Sequence, residues 1–218
     1  MNLVSVSAPP AIVRELRADE QVLRTATGNA FVVAARDRQL ALHALGKAPK
    51  TAAAVVRLRP SERDDVQARL DLQRLHNATP PLKHKIRLGP AAPQARLLGW
   101  YREAQRRYGV RWQVLAAINL VESDFNRVRN TSVAGAQGPM QFEPATWRAY
   151  GLGGNVHDPH DAILGAAHYL AANDGATNER NALYHYNPSR LYVDAVEHYA
   201  HRLATVTTAF AEYYGWQP

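Results

Sequence analysis

The feature that most narrows the folds open to this chain is the apolar run Trp112-Gln113-Val114-Leu115-Ala116-Ala117-Ile118-Asn119-Leu120-Val121, which ends on an acid, Glu122. It reads as a helix over residues 111–124, separated by Gly109 from another over 95–108. No apolar stretch approaches the ~20 residues of a membrane span. The chain that follows repeats the helical signal. Pro144 at a first-turn position opens a helix to Ala149 or Tyr150. Asp158-Pro159-His160-Asp161 opens another, with Asp158 as N-cap and Asp161 in the first turn. A short helix begins near Ala182-Leu183. Asn187-Pro188 is expected to start a long terminal one carrying Val193, Val196, Tyr199 and Leu203. No convincing alternating strand is present, so the predicted fold class is all-α, with room for small hairpin strands only in the 126–142 loop.

Residues 1–77 form a basic amino-terminal region that reads as a helical hairpin or small bundle. Ile12, Val13, Leu16 and Leu23 fall near one helical face, and Pro60-Ser61-Glu62-Arg63-Asp64 resembles a helix start with Ser61 as cap. Residues 78–94 are Pro-rich and are expected to be a linker, since proline restricts both itself and its predecessor. Its alternating Lys83, Lys85 and Arg87 read as solvated linker. Residues 95–218 form the second unit. A fragment of residues 90–218 holds every motif below and should fold alone, unless residues 11–77 pack against its helices.

At 218 residues with 46% apolar and 21% charged residues, the chain can bury a real core, and wholesale disorder is excluded. It contains no cysteine, which removes disulfides and thiolate chemistry. The net charge of +7 lies entirely in residues 1–94, which hold 15 Lys/Arg against 8 Asp/Glu, while residues 95–218 hold 11 of each. Such a segment attracts polyanions through a salt-sensitive field or simply forms a solvated helix face. The start, Met1-Asn2-Leu3-Val4-Ser5-Val6-Ser7, lacks a basic n-region and a long apolar core, so no signal peptide is read there.

Glu122 is the centre of the functional reading. An acid continuing an apolar helix is poorly solvated, which favours its neutral form and raises its pKa. A carboxylic acid that still holds its proton near neutral pH is what cleavage of a glycosidic bond needs. The Gly-rich turn from Ser132 to Phe142 lets backbone approach a large polar ligand. Asp124 lies two residues from Glu122 and so points elsewhere on a helix. No convincing second catalytic carboxylate is apparent. His157, His160 and Asp158 are explained by capping without an ion, so no metal and no other cofactor are expected.

Three segments carry a resemblance: Val121-Glu122-Ser123, then Ser132…Gly135-Ala136-Gln137-Gly138-Pro139-Met140-Gln141, then Tyr184-His185-Tyr186-Asn187. In this order they resemble the signature segments of the lytic transglycosylases, the soluble lytic murein transglycosylase type with a goose-type, lysozyme-like domain. The similarity covers roughly residues 94–203. The chain departs from the usual pattern with Pro139 in Gly-Pro-Met-Gln and lacks the Ala-Gly that often follows Tyr-Asn.

The resemblance implies an enzyme of the cell envelope or exterior that acts on peptidoglycan glycan strands. It would cleave the MurNAc–GlcNAc β-1,4 bond with one Glu as acid and then base, leaving a 1,6-anhydro-muramic acid end. It implies Glu122 as the catalytic residue and Ser132, Gly138, Met140, Gln141, Tyr186 and Asn187 as substrate-binding. Met140 serves equally well as core filling, and Asn187 equally well as the N-cap to Pro188. Tyr184, Tyr186, Tyr192 and Tyr199 offer ring faces to sugars or pack the domain. The rival readings are a goose-type muramidase that hydrolyses the bond and a catalytically silent wall-binding module. Anionic wall polymers would suit the basic region; nucleic acid is not the expected partner.

Overall fold

The computed structural model describes residues 8–80 and 85–215, and it is all-α among them: 11 α-helices and a short 3-10 turn. The sequence start read for a signal and Lys83 of the linker cluster lie outside the described residues. The first five elements are α1 (Pro9–Thr25), α2 (Gly28–Gly46), α3 (Pro49–Leu58), the turn Pro60–Glu62 and α4 (Arg63–Ala78). After the Pro-rich connection come α5 (Gln94–Tyr108), α6 (Trp112–Ser123), α7 (Pro144–Tyr150), α8 (Pro159–Ala172), α9 (Glu179–Tyr186), α10 (Arg190–Thr205) and α11 (Ala209–Gly215). No helix among the described residues is long and apolar enough to cross a membrane.

Local chemistry explains most boundaries. Proline stands in the first turn of α1, α3, α7 and α8, where its missing N–H costs nothing. The Asp158 carboxylate accepts from the backbone N–H groups of His160 (2.8 Å) and Asp161 (3.1 Å), as its position predicts. Gly109 ends α5 at φ +74°. Two expected caps are corrected. Ser61 accepts from Arg59 Nε at 3.1 Å instead of capping, and α4 begins from Glu62 with no side-chain cap. Asn187 does not start the terminal helix. Its N–H is spent on the Leu183 carbonyl, which closes α9, and α10 begins at Arg190.

Helix α6 has no polar face: Val114 through Leu120 and Ser123 are all buried. A helix apolar around its circumference belongs in the interior, and α5, α8 and α10 pack around it. A second, smaller core gathers Ile12, Val13, Leu16, Leu42, Leu45, Val55 and Val66 from the amino-terminal helices.

Helix α4 joins the two cores. Its Val66 sits in the smaller one, its Ala68 in the larger, and Leu72 and Leu75 pack against the larger. Its contact with α10 is the most extensive between any two helices. Beside it lies a buried ionic cluster. Arg38 of α2 meets Glu62 (2.6 Å) and Asp65 (2.9 Å), and Arg202 of α10 meets Asp65 and Glu212 (both 2.7 Å). Tyr213 of α11 donates to Asp65. At the rim the Asp64 carboxylate lies 3.0 Å from His198 Nδ1 and 2.6 Å from His201 Nδ1. Residues 11–77 therefore do pack against the helices of the second half.

The connection between the halves is paired rather than loose where it is described. Gly89 N–H donates to the Arg127 carbonyl (2.8 Å), Arg129 N–H to the Arg87 carbonyl (2.9 Å), and Leu88 bridges Val128 in antiparallel fashion. Lys85 and Arg87 remain exposed. The strand character anticipated for the 126–142 loop comes down to this bridge and one between Gln137 and Phe142.

Candidate active site

Glu122 is the last residue but one of α6. Directly after the helix, Asp124, Phe125 and Asn126 all have positive φ (48°, 57° and 68°), which turns the chain sharply away. Asp and Asn tolerate left-handed backbone but Phe does not, and tertiary contacts hold it. Phe125 is fully buried and packs edge-on to Phe210, with ring centroids 5.6 Å apart. Ser123 Oγ accepts from Asn126 N–H at 2.9 Å.

The same Ser123 hydroxyl donates to the Pro139 carbonyl (2.6 Å), which also accepts from Asn119 Nδ2 (2.9 Å). Tyr101 in turn donates to Asn119 Oδ1 at 2.6 Å. A buried polar chain from α5 through α6 thus clamps the Gly-rich turn over α6. Gly138 fits there because its φ is +74° and a Cβ would stand 1.9 Å from the Val156 carbonyl oxygen. Gly138→Ala is expected to lower stability by roughly 2–4 kcal/mol and to displace the turn. Thermal unfolding together with activity would check this; an unchanged melting temperature would contradict it.

Glu122 opens onto a cleft of about 450 Å³, lined also by Ser132, Ala134, Ala136, Gln141, Phe142, Glu143, Thr146, Tyr169, His185, Tyr186, Asn187 and Pro188. Burial pushes the Glu122 carboxyl up from 4.5 to about 7, and the hydrogen bond from Tyr192 (2.7 Å to Oε1) offsets part of that rise. The phenols of Tyr186 and Tyr192 are held well above 10, first by burial and then by Glu122, so both remain donors.

Of the residues expected at the site, Glu122, Ser132, Gln141, Tyr186 and Asn187 come together in this cleft. Ser132 Oγ accepts from Ala136 N–H (3.0 Å), which leaves the hydroxyl hydrogen to donate. Gln141, at φ +49°, spends its amide N–H groups on the Gly138 (2.9 Å) and Asn130 (3.2 Å) carbonyls and keeps its oxygen as an acceptor. Gly138 and Met140 are not among the lining residues. The Met140 side chain is fully buried, and its contribution is its carbonyl, which receives the Tyr186 hydroxyl at 2.6 Å. Its thioether fills the core because the neighbouring turn is clamped inward.

Asp124 does not line the cleft either. Burial raises its carboxyl to about 6 while Arg127 pulls it down. Asp158 serves as a cap, and His160 Nε2 meets Glu103 at 3.0 Å.

Sequence reasoning missed Glu143, Thr146, Tyr169, His185 and Pro188 as wall residues, and it offered Tyr192 only as a stacking face. Glu143 directly follows the Gly-rich segment and Tyr192 falls on a core-facing stripe, so only position in space marks them. Of the other tyrosines, Tyr199 is buried in the core and Tyr184 is exposed outside the cleft. Phe142, Tyr186 and Tyr169 pack ring to edge, with centroids 5.9 and 5.6 Å apart, as one aromatic wall.

Residues 100–205 match the family model described as Transglycosylase SLT domain. Over 71 residues the chain is 38% identical to the membrane-bound lytic murein transglycosylase F of Thiobacillus denitrificans (strain ATCC 25259 / T1). That match covers 33% of this chain and 15% of the relative, so the chain spans only a small part of the relative's length. No solved structure matches it.

Proposed function

We propose, from the premise that residues 100–205 belong to the transglycosylase SLT domain family, that this protein is a peptidoglycan lytic transglycosylase. The observation that carries the proposal is Glu122, a carboxyl raised to about 7 by burial at the floor of a cleft built from the family's segments.

In this reading Glu122 gives its proton to the glycosidic oxygen between MurNAc and GlcNAc. The substrate's acetamido oxygen assists departure and is oriented by the free Ser132 hydroxyl. The resulting Glu122 carboxylate then takes the proton of the C6 hydroxyl as that oxygen closes a 1,6-anhydro ring. Tyr186, Gln141 and Asn187 contact the reacting sugars. The place of action is the cell envelope or exterior, and the basic amino-terminal half holds the enzyme to anionic wall polymers. Mass spectrometry of muropeptides released from purified sacculi in ¹⁸O-water tests the reading: anhydro ends without solvent oxygen are expected.

A second reading, hydrolysis, is favoured by one observation. Glu143 lines the same cleft and occupies the N-cap position of α7 without capping it. A second carboxylate in a glycosidase cleft is the group that activates water. Reducing ends carrying ¹⁸O, lost in Glu143→Gln, would decide for it.

Two variants probe the assignments. Tyr192→Phe removes a donor to the Glu122 carboxylate, so the Glu122 pKa should rise. Because the reaction starts from protonated Glu122, activity falls as pH rises through about 7 in the parent, and in the variant this alkaline limb should move to higher pH. The kcat/KM profile on soluble glycan reports the shift, and an unmoved limb would disprove the coupling. Ser132→Ala should keep partial activity, since it loses one neutral hydrogen bond worth roughly 0.5–1.5 kcal/mol. A loss as deep as that of a Glu122 variant, in folded protein, would give Ser132 a more central task.

A further inference from the structure

A second hollow, of about 430 Å³, lies beyond the cleft and is lined by Asn178, Arg180, Asn181, Tyr184, Arg190 and Val193. Arg180, Asn181 and Tyr184 are three and four residues apart on α9, so they share one helical face. His185 and Tyr186, the next residues of the same helix, line the cleft instead. From Tyr184 to Arg190 the chain spans at most about 20 Å even if fully extended. Its middle residues, His185 to Pro188, line the cleft. The two hollows therefore flank one short segment.

We infer that this hollow is a second saccharide-binding site, which holds a sugar unit of the same glycan strand whose bond is broken in the cleft, together with a carboxylate of the peptide stem that this unit carries. The inference rests on the transglycosylase reading for the identity of the strand. The groups present match that ligand one by one. Tyr184 is 46% exposed and carries an aromatic ring of the kind suited to the C–H face of a pyranose. Asn178 spends its side-chain oxygen as the cap of α9, on Asn181 N–H, and offers its amide N–H groups, while the exposed Asn181 side chain offers both donor and acceptor to hydroxyl and acetamido groups.

The two arginines are not equivalent. Arg180 is held by Asp194 (2.6 Å) and by Glu197, so its charge is already matched. Arg190 is exposed, and no carboxylate among the described residues pairs with it. An unpaired guanidinium beside an exposed aromatic ring selects an anionic partner with a planar carboxylate. Buried Val193 forms the apolar floor.

The test uses the full chain carrying Glu122→Gln, so that binding is read without cleavage, with Tyr184→Ala or Arg190→Ala added. Both added sites are exposed, and the helical circular dichroism spectrum should not change. Binding to long peptide-bearing glycan strands is expected to weaken roughly tenfold for each replacement, while binding to a tetrasaccharide that fills only the cleft stays as in the parent. Arg190→Ala should also flatten the salt dependence.

Strands stripped of peptide by an amidase locate the carboxylate. The amidase removes the stem carboxylates and frees the lactyl carboxyl that the stem had held as an amide, so the Arg190 effect is expected to be lost on stripped strands, and an effect unchanged there would overturn the assignment to the stem. Unchanged affinity of both variants for long strands would overturn the proposal. Failure of the wild type to release muropeptides would instead count against the activity, whatever the binding result.

Discussion

Glu122→Gln is expected to remove nearly all lytic activity and to leave the fold intact. Gln keeps the shape and can still receive the Tyr192 hydroxyl, but it neither gives nor takes the proton; general acid–base catalysis alone contributes ~10²–10⁴-fold. The variant should also be more stable than the parent at alkaline pH. The folded pKa of about 7 lies above the ordinary 4.5, so the folded state holds the proton more tightly than the unfolded chain does. Stability therefore declines as pH rises from about 4.5 to about 7, and the full cost of ionised Glu122 is present above that. At ~1.4 kcal/mol per pKa unit the cost is roughly 3 kcal/mol, reduced by whatever screening the open cleft provides. Sacculus clearance and urea melts at pH 5 and 8 check both parts. Wild-type clearance by the variant would remove Glu122 from the mechanism, and equal stability at pH 8 would remove the burial argument.

Asp65→Ala is expected to be the most destabilising single change outside the site, by about 3–5 kcal/mol, because it removes the carboxylate that buried Arg38 and Arg202 share and leaves the buried cluster with an uncompensated positive charge. Burial alone would raise the Asp65 carboxyl, but Arg202, Arg38 and the Tyr213 hydroxyl together hold it below the usual carboxylate range. A depressed folded pKa stabilises above the unfolded value. That contribution is lost as pH falls below about 4 and through the folded value. The fragment of residues 90–218 loses Asp65, Arg38 and the apolar cover of α4 together, and it is expected to aggregate. Chemical denaturation of Asp65→Ala and the solubility of the fragment test the point. A soluble, helical, active fragment would mean that α4 only decorates α10.

The fold class and helix positions were legible because apolar periodicity and capping chemistry are local. Asp158, Pro159 and Asp161 announce a helix start within a few residues, and the structure places it there. Ser61 and Asn187 misled because a residue able to cap can be recruited elsewhere: the Ser61 hydroxyl by Arg59, and the Asn187 backbone N–H by the end of the preceding helix. Met140 could not be assigned from sequence, since a thioether suits a cleft wall and a core alike.

The sequence by itself determined that the chain is helical, that an acid closes its most apolar helix, and that a Gly-rich turn follows. Each is a property of neighbouring residues. Only the tertiary structure decided that Tyr192, 70 residues downstream, donates to Glu122, that Glu143 shares the cleft, and that α4 is fastened to α10 through Asp65. These pairings depend on which helix faces meet, and that is set by packing over the whole core rather than by any local pattern.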